Sequence, residues 1–149
     1  MRFAGLFTLL LLAGSAHAQT PSTSTPPAVQ VFKSPTCGCC GIWVEHLRKN
    51  GFVVNVTEVQ DVSPFRTQHK VPASVASCHT ATVAGYVVEG HVPAADIHRL
   101  LKEKPKVAGI GVPGMPIGSP GMEGPNPQPY DVLAFTADGT TKVFSTHKP

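Results

Sequence analysis

The apolar positions of the chain change their period several times, and each change marks an element. "AVQVFK", residues 28–33, alternates briefly and reads as a short strand that runs straight into a group of cysteines. From Cys39 to Asn50 the period lengthens. Ile42, Trp43, His46 and Leu47 recur at three- and four-residue spacing, which predicts a helix, and Asn50-Gly51 supplies its stop. "FVVNVTEV" alternates again, with Phe52, Val54 and Val56 on one face of a second strand. Ser63-Pro64 looks like a cap followed by a first-turn proline, opening a short helix toward His69. In "TATVAGYVVEG", Gly85 interrupts two β-rich runs and predicts a hairpin. "VPAADIHRLLKEKP" is a helix opened by Pro93 and closed by Pro105, with Ile97, Leu100 and Leu101 facing a core. The stretch from Pro105 to Pro129 holds seven prolines and six glycines, so it is predicted to lack regular structure; such a loop in a small domain is functional or disordered. "YDVLAFTADGTTKVFS" closes the chain as a second hairpin, turned by Asp138-Gly139.

Strand, helix, strand, helix, hairpin, helix is an α/β order. A βαβ start followed by an antiparallel pair and a helix is the thioredoxin arrangement, in which a cysteine motif sits where the first strand meets the first helix. The expected architecture is therefore a thioredoxin-like fold with an added Gly/Pro-rich loop and a C-terminal β-hairpin. At 149 residues the chain fits one domain, and 42% hydrophobic with 14% charged residues describes a foldable globular protein. A net charge of +3 spread along the chain argues against nucleic acid as a partner. The small group Lys102, Lys104 and Lys106 falls where a helix should end, and complements its dipole.

The first residues, "MRFAGLFTLLLLAGSAHA", have one basic residue, an apolar run and an Ala16-x-Ala18 ending, the layout of a signal peptide cleaved after Ala18. A membrane anchor is the competing reading, but an apolar run of about ten residues is short for a span of roughly twenty. Residues 19–28, "QTPSTSTPPA", form a Ser/Thr/Pro tether with nothing to bury, leaving residues 29–149 as the folded domain. No second hydrophobic span follows, so the expected product is a soluble protein of an exported compartment.

The chemistry lies in four cysteines. Cys37, Cys39 and Cys40 fall within "PTCGCCG", and Cys78 stands beside His79 in "SCHT". Two structural disulfides would suit an exported protein, yet every pairing is awkward: Cys78 can take one partner, and the other two must then bond across two residues or fewer. A Cys39–Cys40 bridge would be strained, and a Cys37–Cys40 bridge closes a loop too small to contribute much entropy. Cys37 and Cys40 also form a literal C-x-x-C at a helix N-terminus, where free N–H groups stabilise thiolate, which supports a thiol–disulfide oxidoreductase. Cys39, inside that motif, would compete to resolve each mixed disulfide. The third reading is a metal site. Several thiolates aimed at one point make a soft site for Cu(I), zinc or an iron–sulfur cluster, and adjacent Cys39 and Cys40 suit sulfurs that bridge more than one ion, as Cu(I) thiolates do. Cys78 and His79 would add ligands from across the fold. Met115 and Met122, the only methionines besides the initiator, lie in "GVPGMPIGSPGMEG", where their soft thioethers would serve as ligands or as a lid. His91, at a strand-to-helix turn, is within possible reach of the site; His46 falls on a helix side, and His69, His98 and His147 read as surface residues.

With those residues in place, the chain resembles the small bacterial copper-resistance proteins of the CopG type. The resemblance rests on "VFKSPTCGCCGIWVEHLRKNGF", "VPASVASCHTATVAGYVVEGHVP" and "GVPGMPIGSPGME", and runs from about Val29 to Val143. It implies a thioredoxin-like fold, a periplasmic location and copper bound at the clustered cysteines. The family's C-x-C-C falls on Cys37, Cys39 and Cys40, its S-C-H-T on Cys78 and His79, and its methionine loop on Met115 and Met122. The implied role is copper tolerance by sequestering Cu(I), passing it to an exporter or chaperone, or changing its oxidation state, the last being a copper oxidoreductase activity.

Overall fold

The structure, a computed structural model, describes residues 27–148; the signal peptide and nearly all of the tether read from the sequence lie outside them. It is a mixed α/β domain built on one seven-stranded sheet with three helices. Strand β1 (Val29–Lys33) leads into helix α1 (Gly38–Lys49), which returns the chain to β2 (Val54–Glu58), parallel to β1. Helix α2 (Ser63–Gln68) and a single 3-10 turn (Ala73–Val75) lead to the hairpin β3 (His79–Val83) and β4 (Tyr86–Glu89). Helix α3 (Ala94–Glu103) precedes β5 (Gly109–Gly111), and β6 (Tyr130–Phe135) and β7 (Thr141–His147) form the last hairpin. The strand order is β2-β1-β3-β4-β5-β6-β7, with β3 antiparallel to both its neighbours and β5 parallel to β4.

The alternation of each strand assigns its residues to two faces. One register row aligns Val31, Ala81, Val88, Ile110 and Ala134, and these pack with Trp43, Val44 and Leu47 of α1 and with Ile97 and Leu100 of α3. Each fully buried valine, leucine or isoleucine among them contributes roughly 1.5–3 kcal/mol, so this face holds most of the stability. The next row, Phe32, Thr80, Glu89 and Gly111, faces the other way. It is covered by α2, whose Phe65 stacks on Phe32 with ring centroids 4.0 Å apart, and by Val75, which clusters with Val87 and Phe135 of the same face.

Three details depart from the sequence reading. Ile42 belongs to the helical period but is exposed, because α1 turns Cys40, Trp43, Val44 and Leu47 inward instead. Val56 is also substantially exposed, since β2 is an edge strand whose outer residues meet solvent. The Gly/Pro-rich segment contains a strand: Gly109-Ile110-Gly111 inserts between β4 and β6. Its glycines hide the signal, because they have no side chain to set a period, and packing requires them. A Cβ at Gly109 would sit 2.2 Å from the Val87 carbonyl oxygen, and one at Gly111 2.5 Å from Val75 Cγ1.

Gly109→Ala is expected to destabilise the protein by about 1–3 kcal/mol, because the obstructing atom is backbone and the sheet must part to admit a methyl. Urea unfolding of the metal-free protein measures this, and a variant as stable as wild type would show that β5 is not locked into the sheet.

Candidate metal centre

Every candidate ligand except the methionines is placed by one end of the sheet. β1 ends at Lys33, and a turn closed by the Cys37 N–H donating to the Ser34 carbonyl (3.1 Å) delivers Cys37 to the N-cap of α1. Cys39 and Cys40 occupy its first turn. β3 runs antiparallel to β1 with His79 opposite Lys33, so Cys78, one residue before His79, arrives at the same end. β4 leaves the sheet there too, and His91 follows it across Gly90. One sulfur from each of Cys37, Cys39, Cys40 and Cys78 lies within 4.8 Å of all the others. Cys40 is fully buried and the other three are partly so. Cys37 and Cys40 are joined as a disulfide, while Cys39, 3.5 Å from the Cys37 sulfur, and Cys78 are free thiols. The bridge spans a sequence separation of only 3, so breaking it costs the fold little.

A second group, Cys78, His79 and His91, shares Cys78 with the first. Both imidazoles are fully buried. His91 Nδ1 lies 2.7 Å from the Pro120 carbonyl, which can only accept, so Nδ1 carries the proton and Nε2 keeps its lone pair. That Nε2 faces Cys78 Sγ at 2.9 Å, and His79 Nδ1 lies 3.4 Å from the same sulfur. A metal-binding histidine is commonly fixed in this way, with its distal N–H given to a carbonyl and its bare nitrogen aimed at the site. His79 Nε2 is buried without a hydrogen-bond partner among the described residues, and the ring packs on Trp43 at 4.3 Å. Trp43 in turn donates its indole N–H to the Val92 carbonyl at 2.8 Å, tying α1 to the segment just after His91.

Burial sets the protonation states. It pushes the Cys78 thiol up to about 11, helped by neighbouring Cys39, so the metal-free sulfur keeps its proton and donates it in a hydrogen bond to His91 Nε2. Burial pushes His79 down to about 3 and lowers His91 and His46 as well. The site thus offers thiols and neutral imidazoles rather than a charged pair. A soft cation would bind by displacing thiol protons.

The Gly/Pro-rich loop crosses this end of the sheet and is tied down on both sides of the cysteines. On one side the Gly114 N–H donates to the Ala76 carbonyl (3.2 Å), and Ser77 Oγ donates to the Gly114 carbonyl. On the other, Pro120 accepts from His91, and Gly121 packs so closely that an added Cβ would lie 2.6 Å from the Cys39 carbonyl oxygen. Gly121 also has φ +87°, a backbone conformation that suits glycine. Met115 and Met122 each follow one of these anchor points. Met115 is 51% exposed, and Met122 is half-buried beside the turn closed by its own N–H on the Ser119 carbonyl.

Comparison with known proteins agrees with this geometry. The family described as a protein of unknown function, DUF411, matches residues 75–122, which hold Cys78, His79, His91 and both loop methionines. Two solved structures, described as copper resistance protein CopG in Form 2 and Form 1, are 43% and 42% identical to the chain. Each alignment covers 83% of this chain and 99% of the other, with TM-scores of 0.78 and 0.77. The chain belongs to the CopG family of copper-resistance proteins. No curated protein matches it.

For a CopG-family chain, the sequence motifs and the fold now account for most of this end of the sheet. His91 Nε2 lies nearer to the Cys78 sulfur than His79 Nδ1 does; no local pattern shows this, since thirteen residues separate His91 from that cysteine. Nor does the sequence reveal Arg66 and Glu89, an ion pair at 2.8 Å between a partly exposed guanidinium and a fully buried carboxylate behind the Cys78 turn. Two other histidines, His46 on its helix side and His147, which reads in sequence as a surface residue, join separate elements. The His46 ring accepts the Ala94 N–H at the start of α3 (3.1 Å), and His147 pairs with buried Asp96 at 2.6 Å. Both serve packing between elements.

The buried histidines predict a pH response in the metal-free protein. A base whose folded pKa is depressed favours the native state above its ordinary value near 6.5, and that advantage is lost as pH falls toward the folded value. For His79 this amounts to about 2 kcal/mol between pH 6.5 and 5, with His46 and His91 acting in the same direction. Burial raises the carboxyl of Glu89 and so opposes them, one group against three. Urea unfolding at pH 7.5, 6.5 and 5 should show stability falling with acid, and a flat profile would contradict neutral, buried imidazoles.

Proposed function

We propose that this protein binds Cu(I) in the service of copper tolerance, holding it at Cys37, Cys39, Cys40 and Cys78, with His79 as a further ligand and Met115 and Met122 as weak ones. The observation that carries the reading is the convergence of four sulfurs within 4.8 Å at one end of the sheet. Soft, crowded sulfur selects Cu(I) over harder ions. Adjacent Cys39 and Cys40 cannot easily occupy two corners of one tetrahedron, which favours bridging sulfurs and more than one copper ion. His91 joins the ligand set in this reading, because its bare Nε2 faces Cys78. Its relatives' description as copper resistance proteins supports the same role. Several ions sharing sulfurs can change total charge by one electron without losing a ligand, so Cu(I)/Cu(II) redox activity belongs to this proposal. So does hand-over of copper to an exporter or chaperone.

The βαβ start, the antiparallel pair and the following helix support a thioredoxin-like reading of the domain, residues 29–149. Residues 1–18 are proposed as a cleaved signal peptide and 19–28 as a tether, with the protein acting in the periplasm. Among the described residues no helix is long and apolar enough to cross a membrane. A second reading, thiol–disulfide exchange by Cys37 and Cys40, is favoured by the disulfide between them. The two readings differ in what they ask of Cys39 and Cys78.

Protein recovered from the exported compartment, with an intact mass beginning at Gln19, should be reduced and loaded anaerobically with Cu(I). Metal analysis is expected to find more than one copper per chain, and zinc should not compete. Replacing any one of the four cysteines by serine should lower copper loading and copper tolerance together, because a lost bridging sulfur leaves its neighbours short of ligands. Full thiol exchange and unchanged tolerance in Cys39→Ser and Cys78→Ser would favour the oxidoreductase. A single zinc that excess Cu(I) cannot displace would sink the copper reading.

The methionines predict a subtler effect. Six residues separate Met115 from Met122, and the anchors at Gly114 and Gly121 hold both ends of that span against the cysteine end of the sheet. Met115→Leu with Met122→Leu should speed Cu(I) transfer to a competing chelator, while cysteine loading remains measurable. Leucine preserves most of the volume, so unchanged affinity and release rate would reduce both methionines to packing.

A further inference from the structure

Arg66, Glu89 and Thr80 carry no signal in the sequence, yet they form a connected hydrogen-bonded group beside the Cys78 turn. The Glu89 carboxylate is fully buried on the α2 face of the sheet. Its Oε1 accepts the Arg66 Nε–H at 2.8 Å and the Ser77 backbone N–H at 2.8 Å, and its Oε2 accepts the Thr80 hydroxyl at 2.7 Å. Arg66 also donates its second arm to the Ser77 carbonyl. One ion pair therefore holds both peptide groups of Ser77 and the side chain of Thr80, the residues on either side of Cys78 and His79. Glu89 lies two residues before His91 in the chain, so the same carboxylate links the Cys78 turn to the strand that delivers His91. Close packing locks the contact. A Cβ at Gly90 would lie 2.4 Å from Ser77 Oγ, and one at Gly111 would lie 3.0 Å from Glu89 Cβ.

A buried ion pair is a poor way to gain stability alone, because desolvation offsets most of the attraction and apolar side chains of equal volume do as well. Apolar side chains could not grip Ser77 and Thr80 together. We propose that Arg66 and Glu89 are positioning residues for the metal centre: they fix the Cys78 turn so that its sulfur faces His91 and Cys37, Cys39 and Cys40 at the start of α1. The proposal rests on the copper reading for what the site holds, but the placement of Cys78 can be measured without metal. Arginine is required rather than any cation, because only its planar fork reaches the carboxylate and the Ser77 carbonyl at once. Glutamine at position 89 could still accept from Ser77 and face Thr80 with its amide, so it should preserve the turn in part.

In the air-oxidised, metal-free protein the free thiols are Cys39 and Cys78, and their rates of alkylation by iodoacetamide can be read separately by peptide mass. Glu89→Ala is expected to raise the rate at Cys78 about tenfold and to leave Cys39 within about twofold. In the reduced protein, Cu(I) affinity against a chromogenic chelator should fall about 10–100-fold, with a changed thiolate-to-Cu(I) absorption per bound copper. Glu89→Gln should fall between Glu89→Ala and wild type on all three readouts. Where Glu89→Ala fails to fold, Arg66→Lys, which keeps the charge and removes the fork, is judged on the same measurements. Equal acceleration at both cysteines would mean general loosening and overturn the proposal. Unchanged alkylation overturns it as well, as does a Cys78-specific rise with undiminished Cu(I) affinity. Wild-type protein that binds no Cu(I) would defeat the copper reading by itself, leaving the alkylation arm to decide whether the pair positions Cys78.

Discussion

The register between β1 and β3 is the constraint on which the site depends. Pairing Lys33 with His79 brings the strand that ends in the α1 cysteines against the strand that begins just after Cys78. A slip of one residue would turn His79 from Trp43 on the α1 face toward α2, and would shift Cys78 relative to Cys37, Cys39 and Cys40, because side chains alternate with a period of two. The register is strongly specified, since the same pairing sets Val31 against Ala81 in the main core. Hydrophobic burial thus fixes a geometry used by polar and sulfur chemistry at the sheet's end.

The two faces of the sheet divide the work. The α1 and α3 face supplies the apolar core and buries His79, whose ring is held neutral mainly by that burial, with neighbouring His91 acting in the same direction. The α2 face is thinner and carries the Arg66–Glu89 pair, which holds the Cys78 turn from behind. The loop closes the third side. Its prolines and glycines let the backbone cross the end of the sheet with few ladder bonds, and carbonyls such as that of Pro120 become available to orient a histidine. A segment that looks structureless in composition therefore performs a specific task, and its one regular piece, β5, is built from glycines because the neighbouring strands leave no room for side chains.

In the copper reading, redox state and metal binding at this site would be coupled by the number of free sulfurs. With Cys37 and Cys40 bonded, only Cys39 and Cys78 are free to meet a metal, so full use of the four sulfurs requires two electrons. That coupling makes the copper and disulfide readings neighbours rather than opposites, and explains why one cluster supports both.

Periodicity and turn residues in the sequence determined the element order almost entirely: Asn50-Gly51, Pro93 and Asp138-Gly139 are local signals that need no partner. The cysteine cluster was equally local, because four positions of chain bring three sulfurs together whatever the fold. What only the tertiary structure decided is whatever depends on two distant segments meeting. His91 reaches Cys78 because β3 and β4 form a hairpin with both ends at the cysteine end of the sheet. Ile42 is exposed because the helix rolls Cys40 and Val44 inward. Glu89 reads in sequence as an ordinary polar residue at the end of a strand, and it becomes a buried anchor only when α2 lays Arg66 across it. Local preference is written along the chain, residue by residue; proximity between segments is set by which faces must be buried together, and that is settled only when the sheet closes on its helices.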